Sequence, residues 1–338
     1  MPAYVFPGRF PSTRPRRLRS APWIRDLVAE TALRPQDLVL NLILRDETAA
    51  AGPIPAMPGI ARHTVDEVVT RAEIAWEAGI KALALFPFTG PDSRSPGGEA
   101  ALDADNLMCR AARGIKASLP SIGLIADVAL DPYTDHGHDG LLADGEILND
   151  ETVAVLCDQA ALLAQAGFDT LAPSDMMDGR VGAIRRRLDD DGYTDRLILS
   201  YAVKYASRFY GPYRDAIGSR GVLLGDKATY QMDPRNADEA LKEAALDCAE
   251  GADILMVKPG LPYLDRIAAV KATFGLPVAA FQVSGEYAML RCAADQGAFA
   301  FAPAALEALI CLKRGGADMI FSYYADEAAR WLSDGLPS

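Results

Sequence analysis

Eight short apolar runs recur along the chain, each followed by a longer stretch with helical spacing. They cover residues 37–44, 81–88, 122–130, 169–174, 196–204, 254–260, 277–285 and 319–325. Several are apolar on successive residues, as strands covered on both faces must be. Helix signals lie between them. Thr64 and Glu67 have capping-box spacing, and so do Asn236 and Glu239. Gly79, Gly167 and Gly275 fall where helices should end. Eight strand–helix pairs fit an α/β chain folded as a (β/α)8 TIM barrel over 37–338, preceded by an extended N-terminal arm over 1–36. A doubly wound sheet is the rival, but the Gly-rich first loop it usually carries is missing.

The first 25 residues hold six arginines, Pro7, Pro11, Pro15 and Pro22, and no acidic residue. Prolines this frequent work against the amphipathic helix of a transit peptide. An arm packing on a neighbouring subunit of a homo-oligomer is the better reading. The formal net charge of -12 argues against nucleic acid and anionic membranes as partners. No apolar run approaches the ~20 residues a membrane span needs. Cys109, Cys157, Cys248, Cys292 and Cys311 are scattered over helical stretches with no CxxC spacing. They read as reduced thiols, and the expectation is a cytoplasmic protein.

Residues 131–149 and 205–235 are too long for ordinary loops, and both follow a strand's carboxyl end, the active-site face of a barrel. Lys204 ends the fifth run and Lys258 lies near the end of the sixth. Two lysines on adjacent strands, ~4.8 Å apart, would lower each other's pKa and free an amine to attack a carbonyl. Other runs end in Asp127, Ser174, Asp175, Ser284 and Tyr323, so polar groups converge on one face. The second long loop adds Arg208, Arg214, Arg220, Lys227 and Gln231, a cationic lid suited to a substrate carboxylate. Each charge alone is equally well read as solvated surface.

These segments closely resemble the porphobilinogen synthase (5-aminolevulinate dehydratase) family from about Met57 to the C-terminus. Residues 256–265 (MVKPGLPYLD) look like its Schiff-base signature, and 173–180 (PSDMMDGR), 209–212 (FYGP), 230–232 (YQM) and 282–287 (QVSGEY) look like further family blocks. The resemblance implies a lyase of tetrapyrrole biosynthesis that condenses two 5-aminolevulinates and assembles as a hexamer or octamer. By the same resemblance Lys258 forms the Schiff base, and Lys204 a second imine or an electrostatic contact. Ser284 and Tyr323 hold one substrate carboxylate, while Arg214, Lys227 and Gln231 hold the other. Asp127 and Ser174 contact the amino groups and assist proton transfer.

Three departures stand out. The positions of three zinc-binding cysteines in many relatives match Ala129, Asp131 and Asp139, so no thiolate zinc site can form. Asp131, Asp135 and Asp139 suit a hard cation such as Mg²⁺, or a solvated acidic loop. His136 and His138 suit lid or hydrogen-bonding roles. Second, Lys227 stands where many relatives carry Arg, and third, Phe281 where a Tyr is usual. Glu243 matches an allosteric Mg²⁺ ligand of some relatives, although Glu243 and Asp247 at i, i+4 also fit an ordinary exposed helix face. No cofactor is expected in the active site. Two other readings remain: a one-lysine aldolase on the same barrel, and a barrel that has lost catalysis and serves assembly or binding.

Overall fold

The computed structural model describes residues 8–49, 52–218 and 221–336; Arg220 of the cationic loop lies outside them. Residues up to Ala32 and residues from Leu33 onward form separate compact units. In the first, Pro15–Arg19 is a 3-10 turn and Pro22–Leu27 a short helix, each begun by a proline. The expected frequent breaks are there, and no long helix forms among the described residues of this unit.

In the second unit eight parallel strands close into a barrel: β1 (Leu38–Leu44), β2 (Ala82–Pro87), β3 (Gly123–Val128), β4 (Thr170–Pro173), β5 (Leu197–Lys204), β6 (Ile254–Lys258), β7 (Val278–Phe281) and β8 (Met319–Ser322). Neighbours pair in sequence order, and β8 returns to β1 through Leu38↔Ile320, Val39↔Phe321 and Leu40↔Ser322. Every residue of β1, β4, β6 and β7 is buried. Helices cover one face and inward side chains fill the other, which is why the runs are apolar without alternation.

The surrounding helices include α1 (Val65–Glu77), α2 (Leu107–Ser118), α3 (Asn149–Ala166), α4 (Arg180–Asp190), α5 (Asp238–Glu250), α6 (Leu264–Phe274), α7 (Ser284–Asp295), α8 (Phe301–Arg314) and α9 (Ala325–Asp334). The expected box at α1 forms: Glu67 N donates to Thr64 Oγ1 at 3.3 Å and Thr64 N to the Glu67 carboxylate at 2.8 Å. At α5 it does not. The flanking residue is Ala237, and Asn236 Nδ2 donates instead to Glu239 Oε2 at 2.8 Å, so the pair closes side chain to side chain. The seventh run also overshoots, because the chain leaves the barrel at Phe281 and Ser284 already begins α7.

Both long connections rise from the carboxyl ends of strands. The first carries a small hairpin, Leu141–Ala143 with Glu146–Leu148. The second carries the turn Arg208–Tyr210 and the short helix Gly211–Ala216. That helix is tied down at its end: Arg62 donates to the Asp215 and Ala216 carbonyls, both at 2.7 Å, and Arg94 to the Ile217 carbonyl at 2.9 Å. His138 joins the two connections, its ring nitrogens lying 2.7 Å from the Leu224 carbonyl and 3.1 Å from Tyr230 Oη. This is the hydrogen-bonding role expected for it.

Candidate active site

Strand geometry first explains why two lysines meet. Lys204 and Lys258 are register partners at the ends of β5 and β6. An irregular pairing puts them there: Ser200 pairs with Leu255, but Val203 pairs with Val257, so β5 spends one more residue than β6. In a regular ladder Lys204 would stand opposite Pro259 and face away from Lys258. The extra residue turns Tyr201 and Lys204, three apart, toward the same side, with the Lys204 ammonium 5.9 Å from the Tyr201 ring.

Lys258 is surrounded by rings. Its Nζ lies 4.3 Å from the ring centre of Phe281, 4.9 Å from Tyr201, and 5.5 Å from both Tyr210 and Tyr213. Burial among them, joined by the positive charge of Lys204, brings its pKa down to about 7 despite the opposing pull of Asp127, Asp131 and Asp139. Rings attract the ammonium weakly, by ~0.5–2 kcal/mol each at best, and cannot replace its lost hydration. A free amine is therefore abundant at neutral pH, which is what carbonyl attack requires.

Lys204 has a polar setting. Its Nζ donates to the Ser174 carbonyl and lies 3.5 Å from Asp139 Oδ1. Lys227 reaches in from the second loop, with Nζ 2.8 Å from Asp139 Oδ2 and 3.2 Å from Asp131 Oδ2. Burial alone would raise the Asp139 carboxyl, but Lys204 and Lys227 together hold it well below the usual carboxylate range. Asp127 behaves oppositely. Desolvation outweighs the nearby lysines and lifts it to about 6, and its Oδ1 is buried without a hydrogen-bond partner among the described residues. Such a group can exchange a proton near neutrality.

The acidic loop is not the solvated one that was expected. Asp131 and Asp139 are buried, not solvated, and they take a lysine between them, while Asp135 is exposed and apart. No group of three or more acidic, His or Cys side chains among the described residues is arranged to hold a metal ion. The expected exposed face of Glu243 and Asp247 also fails. Asp247 is buried, accepting from both Arg180 terminal nitrogens at 3.2 and 3.3 Å and from Ser200, whereas Glu243 is partly exposed at a surface cavity.

The sequence-derived residues fall into two groups. Lys258, Lys204, Arg214, Lys227 and Gln231 line one cavity. Asp127, Ser174, Ser284 and Tyr323 adjoin those side chains or their neighbours. Ser284 Oγ accepts from Tyr213 N at 2.8 Å, and Tyr323 lies 6.3 Å from Phe281, ring to ring. Arg208 is exposed. Sequence reasoning missed the ring cage apart from Phe281, the Arg62 and Arg94 anchors, and Glu286. Aromatic residues scattered over four elements leave no spacing signal; Tyr210 and the Glu two residues past Ser284 lay in blocks already singled out.

A parallel barrel with a desolvated lysine at its mouth, a second lysine beside it and a cationic loop above defines a carbonyl-processing enzyme of the Schiff-base type. The comparisons make the class specific. The family model described as Delta-aminolevulinic acid dehydratase matches residues 12–331. A Delta-aminolevulinic acid dehydratase of Bradyrhizobium diazoefficiens is 54% identical over 319 residues, spanning 94% of this chain and 90% of that one. One of Rhodobacter capsulatus is 46% identical over 323 residues, covering 96% and 97%. A crystal structure of the Toxoplasma gondii enzyme, in complex with the reaction product porphobilinogen, superposes with a TM-score of 0.93 at 48% identity, covering 96% of this chain and 92% of that one. The chain belongs to the delta-aminolevulinic acid dehydratase family.

Proposed function

We propose that this chain condenses two molecules of 5-aminolevulinate asymmetrically into porphobilinogen, releasing two waters, as a lyase of tetrapyrrole biosynthesis. The observation that carries the reading is the Lys258 amine, held in rings opposite Lys204. Lys258 attacks the ketone of one substrate. The imine is an electron sink, so the adjacent carbon loses a proton and attacks the partner molecule. Lys204 forms a second imine or stabilises charge, and Asp127 and Ser174 receive the amino groups and move protons. Ser284 and Tyr323 hold one carboxylate; Arg214, Lys227 and Gln231 hold the other. Fixing both carboxylates makes the carbon–carbon step effectively intramolecular.

The zinc-independent form of the family is the reading we favour. Ala129 offers no side-chain ligand, and the Lys227 ammonium already pairs with both Asp131 and Asp139. The protein acts as a homo-oligomer, hexamer or octamer, with the N-terminal arm as a subunit contact. Among the described residues no helix is long and apolar enough to cross a membrane, and a cytoplasmic setting suits the free cysteines.

The test is porphobilinogen formation from 5-aminolevulinate by purified protein, with and without excess chelator. We expect product in both. Activity lost in chelator and restored by Mg²⁺ would move a cation to Glu243 or to the acidic loop. No product in either would sink the reading in favour of an aldolase or a binding protein.

A further inference from the structure

Glu286 is fully buried, yet no step above uses it. It sits in the first turn of α7, and its carboxylate accepts three backbone hydrogen bonds. Leu261 N donates to Oε1 at 2.7 Å, and Gly260 N and Val283 N donate to Oε2 at 3.2 and 2.7 Å. Two of the donors immediately follow Lys258-Pro259 at the end of β6. The third immediately precedes Ser284. One side chain thereby fastens the segment that carries the amine to the start of the helix that carries Ser284.

We propose that Glu286 is a positioning residue for the condensation: it fixes the backbone just beyond Lys258 so that the amine enters the ring cage in attacking geometry, and it keeps that segment in register with Ser284. The inference rests on Lys258 being the imine-forming lysine. Three further contacts make the junction tight. The Lys258 carbonyl is held from the other side, accepting from Tyr205 N at 3.0 Å and Tyr210 Oη at 3.3 Å. At Gly260 an added Cβ would come within 2.9 Å of Leu312 and 3.2 Å of the Phe281 carbonyl oxygen, so only glycine lets the turn press against β7. At Gly285 a Cβ would lie 2.4 Å from the Phe209 carbonyl oxygen, so the cationic loop seats directly on the same helix start. Ser284 Oγ, bonded to Tyr213 N, completes this seat.

The chemistry of the acceptor matters because all three partners are donors. A carboxylate offers only lone pairs and satisfies them all. An amide of the same shape would turn its NH₂ toward at least one N–H, leaving a buried donor unpaired and pushing the segment away. Displacing a reacting amine by ~1 Å costs on the order of 10²-fold in rate.

The experiment compares wild type, Glu286→Gln and Glu286→Asp in the full-length protein. It reads kcat, KM, melting temperature and the rate at which borohydride traps substrate on the Lys258 peptide. We expect Glu286→Gln to lower kcat and trapping rate by about 10²-fold with KM little changed, and Glu286→Asp, which keeps the charge, to recover part of both. A lower melting temperature with wild-type trapping and kcat per folded molecule would make Glu286 merely structural and overturn the proposal. Should the variants not fold, hydrogen exchange on the wild type decides. The Gly260, Leu261 and Val283 amides should exchange as slowly as those of β6, and exchange at loop rates overturns the proposal. Failure of wild type to trap substrate on Lys258 would instead strike the functional reading itself.

Discussion

Lys204 and Lys258 stand opposite one another on paired strands, yet their surroundings differ in kind. Lys258 looks onto Phe281, Tyr201, Tyr210 and Tyr213, and its pKa falls to about 7. Lys204 looks onto the Ser174 carbonyl and the Asp139 carboxylate. Rings withdraw water from one amine and provide no acceptor; oxygens replace the hydration of the other. The same side chain is thus set among rings on one strand and among oxygens on the next. The division of labour lies in the neighbours, and it reinforces itself, because the Lys204 charge is one reason Lys258 prefers to be neutral.

The hardest way to break this comparison is to remove Lys258. Lys258→Ala should lower porphobilinogen formation by on the order of 10⁴-fold or more and abolish the borohydride-trapped adduct, because it removes the amine that the four rings enclose. An adduct that survives on Lys204 would reverse the assignment of the two lysines. The next largest effect belongs to Lys204→Met, which we expect to cost about 10²–10³-fold in kcat, through lost charge stabilisation and proton handling. The sign of its pH effect follows from charge. Attack requires the neutral Lys258 amine, so activity rises with pH through about 7 in the wild type. Without a cation beside it Lys258 holds its proton more firmly, and the acidic limb of the kcat/KM profile should move to higher pH. A limb that stays in place would mean that the rings alone depress the amine.

The two halves of this comparison were unequally legible in the sequence. The barrel was, because strands buried on both faces leave unbroken apolar runs, and eight of them recurred. Both lysines were found as charges at the ends of such runs. Their facing the same way was not derivable, since it depends on the extra residue between Ser200 and Val203, and a bulge has no composition of its own. The oxygens around Lys204 lie in residues already singled out, but their arrangement was misjudged. Asp131 and Asp139 read as solvated or cation-binding because nothing in linear order joins them to Lys227, almost a hundred residues further on, which pairs with both. The rings around Lys258 come from β5, the turn and the short helix of the second loop, and β7, and aromatic residues in such places look like ordinary core. The buried carboxylate of Glu286 was hidden for a related reason: its partners are backbone amides, which every sequence has.

The smallest effect tests the ring side most finely. Phe281 is 1% exposed and lies against Phe86, Phe321 and Tyr323 as well as Lys258. Phe281→Tyr adds one hydroxyl to a ring that lies against the Lys258 amine. The new group must find a partner, since a buried hydroxyl without one costs ~1–3 kcal/mol. If the Lys258 amine is that partner, the hydroxyl oxygen favours the ammonium, and the acidic limb shifts slightly upward while kcat stays within about threefold of wild type, a change worth under 1 kcal/mol. The shift should have the same sign as that of Lys204→Met and be smaller, because one neutral dipole offsets less than a full charge removed. An unchanged limb would show that the ring face, and not the missing hydroxyl, sets the proton affinity of Lys258, and the contrast between the two lysines would then rest on desolvation and the Lys204 charge.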